Sequence, residues 1–348
     1  MGSRFGRIRQ RSYHMIKKVL FYFMLFILIV TLNFWLPRLM PGGPIAYLQG
    51  GGDESMMMIM TQEQKERLLA YYDLNVPIYE QFIHFTKGII HGDLGVSIHF
   101  KSPVTEVIYA HGKWTLFLVG VSVLLTILIS TILGVVSAWL RGKKRDYFLF
   151  TSLLSFGAVP EFVIAILLLL TFSIHFQWFP LGGSLTPFTD YGTGVMGTFH
   201  YLKDWFHHAA LPIATLTLAN LSSIYLLIRN SSLNVLSEPY IFAAEAKGLS
   251  RMRILFHHAL RNALLPVVTL IGIRIAFLLT GVILVETVFS YPGMGKLLYT
   301  AIIARDYPLL HGLFLVFTTA ILCMNLLTDL LYPKLDPRIR RKDIKEYA

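Results

Sequence analysis

The chain has one cysteine, Cys323, in 348 residues, which excludes an internal disulfide framework and a cysteine zinc site. Charge is sparse as well. Asp, Glu, Lys and Arg make up 15% of the residues against 55% hydrophobic ones, too apolar for the soluble domains that this length would otherwise suggest. A lipid bilayer is the solvent such a composition fits. Acids are the scarcer sign, leaving a formal net charge of +11. That excess does not point to nucleic acid, because the basic residues crowd at the ends of apolar segments and lack the interleaved aromatics of a base-stacking platform. Signatures of catalysis are missing too. No Gly, four residues, Gly-Lys-Ser/Thr pattern occurs, so the chain is not expected to bind or hydrolyse ATP itself. Neither His-Glu-x-x-His nor Gly-x-Ser-x-Gly is present, which argues against an intramembrane protease or esterase.

What the chain does have is long apolar runs. Residues 1–18 carry six Lys or Arg and no acid, and the uncharged run 19–36, at 18 residues, can just cross a hydrocarbon core. It is too long for a signal-peptide core and no small-residue cleavage site follows, so it is expected to remain as a transmembrane helix. Further candidate spans are 114–140, 147–176, 209–228, 262–285 and 308–328. Pro160 and Glu161 interrupt the third and predict a kink. Between 37 and 113 lies a polar region with helical spacing at 62–72 and a flexible glycine and acid tract at 49–55.

Basic residues give the topology. The segments 1–18, 141–146, 229–261 and 329–348 hold 21 Lys or Arg, against 9 in 37–113, 177–208 and 286–307, with Arg274 alone inside a span. Six spans with both termini in the cytoplasm satisfy the positive-inside rule. Twelve histidines, including the pairs His207-His208 and His257-His258, fit termini and solvated faces better than a metal site, since adjacent helical residues point about 100° apart.

The most distinctive stretch is the polar and basic island 237–266 between the fourth and fifth spans. Ser237 is a candidate cap before Glu238 and Pro239, Gly248 a left-handed stop, and Ser250 the cap of a second helix. Tyr240, Ala243, Ala244 and Lys247 recur at i, i+3, i+4 and i+7, predicting one narrow helical face that another protein can approach closely.

This island resembles the cytoplasmic coupling loop of permease subunits in ATP-binding-cassette (ABC) importers, within the dipeptide, oligopeptide and nickel branch. The match rests on Ala243, Ala244, the run Ala246-Lys247-Gly248-Leu249-Ser250, and the run from His258 to Pro266. Phe242 stands where the wider superfamily has Glu, and Leu260-Arg261 where it has Leu-Pro. Further matches are Tyr72-Asp73-Leu74, the stretches 77–82 and 92–97, Glu286 to Gly295, Asp306, and Asp336-Pro337-Arg338, so the resemblance runs from Leu36 onward. It implies an all-α integral membrane protein with six transmembrane helices, the type I importer permease fold over about 110–330, and an outward extension between the first two helices. It also implies a bacterial or archaeal cytoplasmic membrane and four partners: a second, similar permease, two ABC ATPase subunits, and an extracytoplasmic substrate-binding protein. No cofactor is expected in this chain, ATP belonging to the partner subunits, and the substrate is a dipeptide, a longer peptide, nickel or a metal chelate.

On this reading Tyr240, Ala243, Ala244, Lys247, Gly248, Leu249 and Ser250 form the ATPase-coupling surface. Glu161 and Arg274 line the translocation path or pair with each other on neighbouring helices. Glu286 and Asp329 are expected at membrane interfaces, and Glu286, Pro292, Gly293 and Gly295 at the outer mouth. Asp73, Glu80 and Asp93 are the acids offered to a binding protein. Two rivals remain: a passive channel or secondary transporter, for which six spans and buried ions are equally natural, and a membrane enzyme using Glu161 and nearby histidines. The first gives no reason for the island, and for the second no activated nucleophile is apparent.

Overall fold

The structure, a computed structural model, describes residues 2–39, 63, 66, 75–260, 263–264 and 282–335. These divide into two compact units, Met1–Lys113 with Gly293–Leu322, and Trp114–Pro292 with Cys323–Ala348. The described residues are helical apart from loops and one isolated bridge, Val96 with Pro103.

In the first unit, α1 (Gly2–Trp35) continues into a short 3-10 turn, Leu36–Leu39. Helix α2 (Ile78–His91) follows, and the long helix α3 (Val104–Trp139) begins here. Later in the chain come α8 (Met294–Ile303) and the first part of α9 (Tyr307–Leu335). Phe34 is fully buried, with ring centroids 5.1 Å from Phe82 and 5.6 Å from Phe85 on α2. The Arg38 guanidinium lies 3.6 Å over the Phe34 ring and donates to Gln81 Oε1 at 2.7 Å. Helix α9 crosses α3 closely at Gly312, where a Cβ would stand 2.5 Å from Val104 Cγ1.

The second unit holds the rest of α3, then α4 (Lys144–Gly157), α5 (Glu161–Leu168) running on as a π-helical turn Leu169–His175, and α6 (Gly194–Leu236). Its main apolar cluster joins Leu118, Ala165, Leu211, Leu216, Val282 and Phe289. Helices α4 and α5 meet at 100°, and the break falls at the residues before Pro160 and Glu161. Proline disfavours helical backbone at the residue before it, and Val159 duly sits outside both helices. The packing of α4 and α3 on α6 depends on two glycines. A Cβ on Gly157 would lie 1.9 Å from Ser222 Oγ, and one on Gly134 would lie 2.9 Å from Ile228 Cγ2.

Among the described residues four helices, Ile16–Leu39, Val104–Trp139, Gly194–Leu236 and Tyr307–Leu330, are long and apolar enough to cross a membrane, and the count is five if the bent α4–α5 pair is one broken span. The fifth span expected from sequence, 262–285, lies mostly outside the described residues, as does most of 62–72 and all of 49–55. Helix α6 has 43 residues, about 64 Å at 1.5 Å per residue, roughly twice a hydrocarbon core. Its first turns therefore extend beyond the stretch 209–228 expected from sequence and organise the preceding loop. Asp204 accepts from Thr186 N and Oγ1, each at 2.7 Å, and from the Tyr191 hydroxyl at 2.6 Å. The same carboxylate pushes the Tyr191 phenol above its ordinary pKa, first through that hydrogen bond.

Candidate coupling site

The island begins where α6 ends. Ser237 keeps helical backbone, and its hydroxyl donates back to Asn234 O at 2.7 Å instead of capping the next helix. The cap position belongs to Glu238, whose backbone is extended at ψ 144°, and Pro239 takes the first helical position of α7 (Pro239–Ala246). The cap expected at Ser237 is thus one residue later, because a proline at the first turn forces extended backbone on the residue before it.

At the other end Gly248 is left-handed at φ +73°. Gly248 N–H donates to Glu245 O at 2.9 Å and Leu249 N–H to Ala244 O at 3.3 Å, the paired bonds of a Schellman stop. Leu249 packs back on the same helix, which is the apolar contact that accompanies such a stop. The chain then re-enters helix at Arg251–Arg253, with Ile254 N–H on Ser250 O at 3.1 Å, and continues as a π-helical turn, Ile254–Ala259.

The two faces of α7 differ. Ile241 and Ala244 are buried against Ile254, Ala259, Val235, Leu236 and Trp139. Tyr240, Phe242, Ala243 and Lys247 are exposed, Phe242 at 60%. Ala244 therefore does not share the outward face with Tyr240, Ala243 and Lys247. It is the small residue that lets α7 settle on its seat, and the exposed Phe242 adds apolar surface to the helix instead.

That seat leads into the membrane helices. Trp139, the last residue of α3, packs on the cluster under α7 and also on Val135, Ile224, Ile228 and Leu255. Ser231 on α6 donates to Ala263 O at 2.8 Å, tying α6 to the start of the expected fifth span. Next to this lies a buried polar network. Arg229 donates through Nη2 to Asp146 Oδ2 at 2.9 Å and through Nε to Asp146 Oδ1 at 3.3 Å and Ser137 Oγ at 3.0 Å. Ser137 gives its proton to Asp146 at 2.5 Å, so the Tyr225 hydroxyl at 2.6 Å is the donor to Ser137. Four residues thus cross-link α3, α4 and α6 beside the seat of α7. Sequence reading passed over this network because the basic run 141–145 dominates the loop. Its signal was Asp146, the single acid directly after that run.

Other residues singled out from sequence are placed as follows. Glu161 opens α5 and accepts from Asn220 Nδ2 on α6 at 3.2 Å, whereas Arg274 lies outside the described residues. Glu286, expected at an interface, is fully buried and accepts from Thr115 Oγ1 at 2.6 Å. The cause is its position in the apolar cluster of the second unit, one residue from Val285 and three from Phe289. Asp329 is half-buried on α9. Gly293 is the extended residue before α8, Gly295 is buried within it, and Pro292 is half-buried in the preceding loop. Glu80 lies half-buried in the first turn of α2, accepting from the Tyr79 hydroxyl at 3.0 Å. Asp93 is exposed, its Oδ1 accepting from Gly95 N at 2.9 Å, and Asp73 lies outside the described residues. Among the described residues no group of three or more His, Cys, Asp or Glu side chains converges as a metal site.

Comparison with known proteins fixes the family. The family described as "Binding-protein-dependent transport system inner membrane component" matches residues 130–341, more than half of the chain and including α7 with its seat. This chain is a member of that family. The permease is 36% identical to the dipeptide transport system permease protein DppB of Escherichia coli (strain K12) over 329 residues, covering 91% of this chain and 95% of that one. It is 35% identical to the oligopeptide transport system permease protein AppB of Bacillus subtilis (strain 168) over 313 residues, covering 89% and 94%. Against the glutathione transport system permease protein GsiC of Escherichia coli O6:H1 it is 31% identical over 329 residues, covering 94% and 99%. With its membrane-length helices, the permease is a multi-pass protein of the cytoplasmic membrane.

Proposed function

We propose that this permease forms half of the translocation pathway of an ATP-driven peptide importer and couples that pathway to separate ATPase subunits through α7. The observation that carries the reading is the two-faced construction of α7. An exposed face of Tyr240, Phe242 and Ala243 stands on a seat that reaches α3 and α6 through Trp139. Small and aromatic residues on a rigid helix suit a partner that must push without slipping, and charge depletion at the centre of a contact is common to stable interfaces. The names of the relatives, dipeptide, oligopeptide and glutathione permeases, favour a peptide cargo over nickel or a metal chelate.

In this scheme closure of two ATPases around ATP presses on α7, the seat transmits the movement to α3 and α6, and hydrolysis reverses it. The partners are two ATPase subunits, a second permease of the same family, and an extracytoplasmic binding protein that selects the cargo. Both termini and α7 face the cytoplasm. Glu161 and Arg274 belong to the pathway or its wall, and Asp73, Glu80 and Asp93 to the docking surface for the binding protein.

The test replaces Ala243 with Trp in the assembled importer. Ala243 points outward, so the chain is expected to fold normally while losing ATPase co-purification and peptide uptake by roughly tenfold or more. Normal association with normal uptake would remove the coupling role from this face. Charge reversal of Glu80 and Asp93 that leaves binding-protein docking intact would remove the docking assignment.

A further inference from the structure

A cavity of about 560 Å³ opens beside the Asp146–Arg229 network, lined by Gly142, Lys143, Lys144, Tyr147, Phe150 and Arg229 together with Asp146. Its charge is one-sided. The single acid, Asp146, is already taken by Arg229, and the two side chains are only 7% and 14% exposed. Lys143 and Lys144 are exposed and make no ion pair among the described residues, so the lining carries their two positive charges in excess. The Arg229 guanidinium, 5.0 Å from the Phe150 ring, spends Nε and Nη2 on Ser137 and Asp146 and has no described partner at Nη1. A fixed, nearly buried guanidinium with a free edge, flanked by two exposed ammonium groups, is suited to a phosphate, which takes a planar donor and point charges together.

The cavity's place narrows the source of that phosphate. It sits at the end of the membrane-length helix α3, between Trp139 and the start of α4. Helix α4 continues from the cavity with exposed Tyr147 and Phe148, at 74% and 72%, and then Leu154 and Phe156. Apolar surface running away from a basic pocket at the end of a span is the arrangement an anionic lipid requires, headgroup in the pocket and acyl chains along the helix. We propose that this cavity binds the phosphate headgroup of an anionic phospholipid, with Lys143, Lys144 and Arg229 as its ligands. Bound there, the lipid would brace α3, α4 and α6 at the level where α7 delivers its thrust.

The experiment uses the intact permease in its purified complex, offered equal amounts of phosphatidylglycerol and phosphatidylcholine in mixed micelles, with retained lipid measured by native mass spectrometry. Phosphatidylglycerol is expected to be retained selectively, and the selectivity to fall roughly thirtyfold in K143Q/K144Q, from the contribution of about two basic side chains near a lipid surface. R145Q removes an exposed charge of the same loop that does not line the cavity, and is expected to leave selectivity unchanged. Equal retention of the two lipids overturns the proposal, as does selectivity that survives K143Q/K144Q or falls as far in R145Q. Excess inorganic phosphate at matched ionic strength separates the two sources of the anion. Persistence of the lipid supports the headgroup, and its displacement shows a soluble-phosphate site and overturns the lipid assignment.

Discussion

The buried carboxylate of Asp306 accepts the Ser97 hydroxyl at 2.5 Å, joining residues 209 positions apart in the chain. His99 N–H at 2.9 Å and Leu309 N–H at 3.1 Å also donate to it, so one side chain fixes the loop before α3 and caps the start of α9. D306A strands all three donors and is expected to cost about 3 kcal/mol or more, whereas S97A removes one neutral donor, together with the acceptor of Phe100 N–H, and costs about 1–2 kcal/mol. Thermal unfolding of the purified chain in detergent measures both. Equal shifts for the two variants would show that Asp306 is not the hub.

Gly157 and Ser222 hold α4 against α6 at a distance no side chain can enter. A Cβ on Gly157 would be 1.9 Å from Ser222 Oγ and 2.7 Å from its Cβ. G157A is expected to destabilise by about 1–3 kcal/mol through overpacking, and S222G in the same chain to restore most of that loss. A double-mutant cycle reads the coupling directly, and additive effects would contradict the contact.

How much of this was legible in sequence depends on what each residue obeys. The bend before Glu161 and the stop at Gly248 follow from local backbone rules for proline and glycine, and both stand where those rules put them. Apolar runs marked the long helices α1, α3, α6 and α9, but not how far they extend, because hydropathy reports hydrocarbon and not helix. Helix α6 starts at Gly194, well before the apolar stretch at 209. The faces of α7 were harder still. In eight residues, spacing alone leaves open which stripe is buried, and Ala244 is drawn inward by Ile254 and Trp139, which come from outside the helix. Pairings such as Asp146 with Arg229, 83 residues apart, have no local signal beyond the isolated acid.

The Asp146–Arg229 pair is buried enough for its halves to be interdependent. R229M leaves a buried carboxylate with Ser137 and the Gly142 backbone as hydrogen-bond donors but no opposite charge, and is expected to cost about 3–5 kcal/mol, whereas D146L/R229M removes both charges and is expected to lose far less. Denaturation of the detergent-purified chain distinguishes these outcomes. A double variant as unstable as R229M would show that the arginine acts by packing on Phe150 rather than by charge.

Gly248 separates conformation from contact at the end of α7. Nothing lies within 4 Å of a Cβ added there, so the cost of a side chain comes from the left-handed backbone at φ +73° and not from a clash. G248A is expected to destabilise the stop of α7 by about 1–2 kcal/mol, and G248N by less, since asparagine tolerates that conformation. If α7 transmits force, uptake by the assembled importer should fall in the same order, alanine more than asparagine, while ATPase association persists because the outward Tyr240, Phe242 and Ala243 are untouched. Uptake unaffected in both variants would mean that the angle at which the chain leaves α7 is irrelevant to transport. Loss of ATPase association in G248A would mean instead that the stop itself forms part of the contact surface.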